Sequence, residues 1–68
     1  MSTDEQTLYE VHWYFADGHH VEWGMPRTWD LGQVRGMANH PPVGAIAGEI
    51  LSCKYVAGQW AVVEPIEI

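Results

Sequence analysis

Between Tyr9 and Met25 the chain alternates apolar and polar residues on both sides of an Asp17-Gly18 pair, and this stretch constrains the fold more than any other. Period-two alternation is the mark of a half-buried strand, and two such runs joined through Asp-Gly read as a hairpin. Two loop geometries compete. A two-residue Asp-Gly turn would pair Trp13 with Glu22 and His12 with Trp23, mixing polar and apolar side chains on both faces. A three-residue loop, Ala16-Asp17-Gly18 with Gly18 left-handed as a bulge, pairs Trp13 with Val21 and Val11 with Trp23. Only the second register gathers Tyr9, Val11, Trp13, Phe15, Val21, Trp23 and Met25 on one side. Because a slip of one residue turns every side chain over, that separation selects the three-residue loop.

The same register sends Glu10, His12, Tyr14, His20 and Glu22 to the opposite face. His12 then lies across from Glu22, and His20 across from Tyr14, while His19 beside the turn is expected to be exposed. Imidazoles and carboxylates are the ligands of zinc and non-haem iron, so His12, His20 and Glu22 are weak candidates for a metal or acid-base cluster. The plainer reading is a solvated sheet face with cross-strand His–Glu and His–Tyr pairs worth roughly 0.2–1 kcal/mol each. The spacing carries no diagnostic signature, so the plainer reading is preferred, and no cofactor is expected.

After Pro26 the segment "TWDLGQVRGMANHPP" reads as a short helix. Thr28 is taken as its N-cap, Asp30 as a favourable first-turn acid and Asn39 as its end. Leu31, Val34, Met37 and Ala38 form the apolar stripe that would cover the sheet. Gly32 and Gly36 cost about 1 kcal/mol each relative to alanine, which suggests a close approach of the helix to the sheet or to another helix. Residues 43–51 suit either a second short helix or a loop followed by a strand. Gly44 and Gly48 interrupt the helical period, so a loop to about Ala47 and a strand through Val56 is the reading taken. Ala57-Gly58 is then the turn and Gln59 to Ile66 the returning strand, with Tyr55 opposite Trp60 and Cys53 opposite Val62. Pro65 lacks a ladder donor and places that strand at an edge. Cys53 reads as a small core residue, because no histidine is placed by sequence to activate it.

The architecture expected is α+β, in the order β-β-α-β-β: an antiparallel, four-stranded sheet with one helix packed on one face. Residues 1–7 are expected to be a flexible acidic N-terminus and residues 8–68 a single small domain. A chain of 68 residues buries only about 60% of its unfolded surface. Domains of this size usually gain stability from disulfides, metals or partner subunits. With a single cysteine and no zinc-finger spacing, this chain is left with aromatic packing around its four tryptophans or with self-association as a homodimer.

The formal charge is −6, from nine acids against Arg27, Arg35 and Lys54. General nucleic-acid binding needs a clustered basic surface and is not expected. The acidic, polar beginning of the chain and the lack of a long apolar run point to a cytoplasmic protein without a membrane segment. In the absence of catalytic signatures, the expected function is a non-enzymatic protein-binding module. It would be an inhibitor or adaptor that occludes a partner protein, of the general character of bacteriophage accessory proteins. Its partner would carry a basic surface. Trp29 and Trp60 are the candidate anchors, with Glu10, His12, Tyr14, His20 and Glu22 as the accompanying polar surface. The alternatives are the metal or acid-base site and a nucleic-acid-related role, including acidic mimicry of DNA.

Overall fold

The first hairpin forms in the register that its polarity pattern selects. A computed structural model describes residues 6–68, and in it β1 (Thr7–Phe15) and β2 (His20–Gly24) run antiparallel. Trp13 lies opposite Val21, Val11 opposite Trp23, His12 opposite Glu22 and Tyr14 opposite His20. Gly18 adopts φ 89°, its N–H donates to the Phe15 carbonyl at 3.0 Å, and the Phe15 N–H donates to the His19 carbonyl at 2.9 Å. That is the three-residue loop closed by a left-handed glycine. Of the segment 1–7, residues 1–5 lie outside the described residues, while Thr7 is already paired with Lys54 as the first residue of β1.

The helix α1 spans Leu31–Ala38. Its N-cap is Asp30, which corrects the expectation of Thr28. The Asp30 carboxylate accepts the Gln33 N–H at 2.9 Å, and the Gln33 side-chain oxygen accepts the Asp30 N–H at 2.9 Å. This reciprocal box satisfies two free donors at once, which a threonine two residues earlier cannot do for the same first turn. Asn39 ends the helix as its C-cap. Val34 and Ala38 are buried, with Leu31 and Met37 half-buried beside them. Gly32 and Gly36 are exposed, and a Cβ on Gly36 would meet nothing within 4 Å. The close approach expected of them is absent, because the stripe that seats the helix lies on its other side.

Strands β3 (Ala45–Lys54) and β4 (Trp60–Ile66) complete one antiparallel sheet of order β2-β1-β3-β4. Residues 43–51 are thus a loop and a strand, as read, but β3 starts two residues earlier and stops at Lys54. Its start follows a turn in which the Ala45 N–H donates to the Pro42 carbonyl and Gly44 adopts φ 93°. The second hairpin differs from expectation. Cys53 pairs with Trp60 and Leu51 with Val62, because residues 55–59 form a longer loop in which the Ala57 and Gly58 N–H groups both donate to the Lys54 carbonyl. The shift is by two residues, and an even shift leaves the facing of every side chain unchanged. Alternation therefore could not distinguish the two registers.

A bulge between Ile50 and Leu51 then brings Ile50 opposite Glu64, leaving Val63 unpaired. Past that point the facing of β4 inverts, so Glu64 and Ile66 join the helix side while Trp60 and Val62 point the other way. Glu64 thereby meets Arg35 of α1, with Nε to Oε1 at 2.6 Å and Nη2 to Oε2 at 3.4 Å. Pro65 sits on β4, an edge strand of the sheet, where proline is tolerated. Among the described residues no helix is long and apolar enough to cross a membrane.

The core lies between α1 and the helix-side face of β1 and β3. Val11, Trp13, Val34, Ala38 and Ile50 are its buried members, lined by Tyr9, Phe15, Val21, Trp23, Trp29 and Leu31. Trp13 and Trp23 meet edge to face, with centroids 5.6 Å apart and an interplanar angle of 72°. Gly48 lies opposite Trp13, and a Cβ there would stand 2.6 Å from Trp13 Cε3 and 2.7 Å from Cζ3. The indole therefore rests on bare β3 backbone. Gly48→Ala is expected to cost about 1–3 kcal/mol through overpacking, whereas Gly24→Ala, whose Cβ meets nothing within 4 Å, should stay within about 0.5 kcal/mol of wild type. Urea denaturation of both variants checks this, and equal losses would refute the packing.

Candidate functional site

Among the described residues one helix covers one face of the sheet, so the site is built on the other. Cross-strand neighbours point the same way, and the registers place Leu8, Glu10, His12 and Tyr14 of β1 on that open face. His20 and Glu22 of β2 join them, as do Glu49, Leu51 and Cys53 of β3 and Trp60 and Val62 of β4. Polar residues of β1 and β2, with Glu49 of β3, occupy one half, and Leu8 of β1 with Leu51, Cys53, Trp60 and Val62 occupies the other. No Lys or Arg stands at a strand position of this face among the described residues.

The polar half is a connected network. Glu10 Oε1 lies 2.8 Å from His12 Nε2. A carboxylate only accepts, so the proton of this bond sits on Nε2, and in the tautomer this selects Nδ1 is the acceptor. That nitrogen is 3.1 Å from His20 Nε2. The His20 ring stacks on Tyr14, with centroids 4.7 Å apart and planes 10° from parallel. Tyr14 in turn donates its hydroxyl to Glu49 Oε1 at 2.5 Å. His20 Nδ1 stands 4.0 Å from Glu22 Oε2. One potential ligand atom from each of His12, His20 and Glu22 lies within 4.8 Å of the others. Exposure is graded across the set, from a His12 side chain 12% exposed to a Glu22 side chain 56% exposed.

The apolar half begins at Leu8 and Leu51, both half-buried, and ends at Trp60 and Val62, which are 43% and 56% exposed. Cys53 is buried, as expected, but between Leu8 and Trp60 on this face and outside the helix-side cluster. The two candidate tryptophan anchors are separated. Trp60 lies on the open face, whereas Trp29 is half-buried and packs against the core beneath the helix. Sequence reasoning brought together Glu10, His12, Tyr14, His20 and Glu22, and all five are adjacent. It missed Glu49, Leu8, Leu51 and Val62, whose place on the face depends on β1 and β3 being neighbours. The alternation of Glu49, Leu51 and Cys53 was the available signal, but it acquires meaning only once strand order is known.

The hydrogen bond to Glu49 first, then burial, and then repulsion from the Glu49 and Glu22 charges hold the Tyr14 phenol above its ordinary value. Folding thus favours the protonated phenol. Its contribution is fully present below the unfolded value of about 10 and is lost as the pH rises through the higher folded value. Wild-type protein should therefore lose stability more steeply above pH ~10 than Tyr14→Phe does, as read from urea melts across that range. Parallel slopes would contradict the Tyr14–Glu49 bond. Compared with protein-family models, curated proteins and solved structures, this chain matches none of them.

Proposed function

We propose that this protein is a non-enzymatic binding module that docks a partner protein on its open sheet face. The observation carrying this reading is the composition of that face. An apolar strip ending in the exposed Trp60 and Val62 adjoins three carboxylates, Glu10, Glu22 and Glu49, with no basic strand residue to offset them. The partner best fitted to it presents an apolar centre with a basic rim. Tryptophan is enriched among the anchors of such surfaces, and the surrounding charges chiefly set association rate and specificity.

Other readings have less support. Catalysis needs a concave, water-excluding site, and one groove of about 380 Å³ among the described residues lies on the helix side, lined by Arg35, Ala38, Asn39, Ile50, Glu64 and Ile66 among others. That is the opposite side of the sheet from the His/Glu/Tyr network. Mimicry of DNA needs acids spaced like phosphates. Here Asp17 is bound into a turn, Asp30 caps a helix and Glu64 pairs with Arg35. Docking through a strand edge is opposed by the shortness of β2, five residues, and by the bulge and Pro65 in β4.

The test compares Trp60→Ala with Trp29→Ala. Trp60→Ala should keep the wild-type melting temperature and weaken binding of the purified partner by at least about 2 kcal/mol, roughly thirty-fold. Trp29→Ala should instead lower the melting temperature, because that ring packs on the core. The association rate should fall with added salt, and Glu10→Gln with Glu22→Gln should remove most of that dependence. Normal partner binding by Trp60→Ala would defeat the proposal. So would a ligand that proves to be nucleic acid, or light scattering showing the face consumed in a homodimer.

A further inference from the structure

We propose that His12, His20 and Glu22 form a binding site for a late first-row divalent cation of the zinc class, with Glu10 as the carboxylate that orients His12. This inference does not rest on the docking role, although it draws on the same Glu10 and Glu22, and it stands on the geometry of the polar half. Zinc takes imidazole nitrogens at ~2.0–2.1 Å in a tetrahedron, which sets neighbouring ligand atoms about 3.3 Å apart. His12 Nδ1 and His20 Nε2 are 3.1 Å apart, so the two donors already stand near the edge length of that tetrahedron.

The surrounding groups match what a metal-bound histidine requires. A ligating imidazole usually donates its other N–H to a carboxylate or carbonyl, which fixes its tautomer and strengthens the ligating nitrogen. Glu10 takes that place at 2.8 Å from His12 Nε2, leaving Nδ1 bare and aimed at His20. The His20 ring is held by its stacking on Tyr14, itself fixed through its hydroxyl to Glu49. In the free protein His20 Nε2 donates to His12 Nδ1. On binding a cation this bond opens and His20 takes the tautomer protonated on Nδ1, the nitrogen that faces Glu22, so both imidazoles bind neutral. Glu22 is the most exposed of the three and completes the set by turning its carboxylate inward from within 4.8 Å. Charge also balances, since Glu10 and Glu22 together offset a dication. The three ligands sit on two paired strands of one hairpin, so little ordering is needed on binding. The fourth position opens to water at the surface of the sheet.

The experiment is calorimetric titration of the tag-free full chain with zinc, paired with thermal melts and with the visible spectrum of the cobalt(II) form. Saturation at one ion per chain is expected, with a melting temperature that rises with free zinc and cobalt bands of tetrahedral intensity. The double variant His12→Gln/His20→Gln should lose all three signals. Glu10→Gln should weaken zinc binding roughly 10–100-fold, as loss of an orienting carboxylate does. His19→Gln, beside the turn, should bind as wild type. Circular dichroism without metal checks that each variant folds, and if the double variant does not, His20→Gln alone decides the matter. The absence of saturable binding, or stoichiometric binding that survives loss of His20, would overturn the proposal.

Discussion

The contact on which the rest of the molecule depends is the seat of Trp13 on Gly48. β1 is a central strand, and its tryptophan is fully buried against a stretch of β3 that carries no side chain at that point. The missing Cβ leaves room for the Trp13 indole, which would otherwise meet it at 2.6 Å, and close packing of this kind is what a core of few residues needs. Trp23 closes one edge of the ring, and the neighbouring Val11 and Ile50 meet the buried residues of α1. The arrangement has a cost. Trp13 Nε1 is buried without a hydrogen-bond partner, which costs on the order of 1–3 kcal/mol and is offset by burial of so large a ring.

A helix of eight residues can cover only part of a four-stranded sheet, and the remaining surface is managed in two ways. On the helix side, the bulge at Val63 inverts the facing of the end of β4 and gives Arg35 a carboxylate to meet. That pair is exposed, so it contributes little to stability. Its value is positional, since it ties the helix to the far strand of the sheet. On the other side no element among the described residues covers the sheet, and the face divides into a hydrogen-bonded polar half and an apolar half.

The two halves of the open face follow from strand order. β1 sits between β2 and β3, so one strand shares its polar side chains with both neighbours. Its histidine meets the β2 histidine, and its tyrosine meets the β3 glutamate. Hydrogen bonds and ring stacking hold the side chains of this network against one another. β4, outside β3, contributes only apolar residues to this face until the bulge. A surface fixed on one side and apolar on the other suits both uses proposed for it, because neither a metal ligand set nor an interface anchor tolerates much movement.

Local pattern was enough for the first hairpin. Alternation on both sides of Asp17-Gly18 had one register that kept polar and apolar residues apart, and that register is the one observed. It also placed Glu10, His12, Tyr14, His20 and Glu22 together, since cross-strand neighbours within a tight hairpin are a local matter. The helix was legible from its apolar stripe, although its cap fell on Asp30, where the carboxylate and Gln33 satisfy each other's backbone. The second hairpin escaped because facing has a period of two. A shift by two residues is invisible to polarity, and so is a bulge that turns Glu64 toward Arg35. The purpose of Gly48, the meeting of Tyr14 with Glu49 and the separation of Trp29 from Trp60 were decided by tertiary structure alone. The first two depend on β1 pairing with β3 across some thirty-five residues of chain, and the third on the β3–β4 register and the packing of Trp29 on the core. Polarity along the chain records which side a residue faces but not which strand will lie beside it.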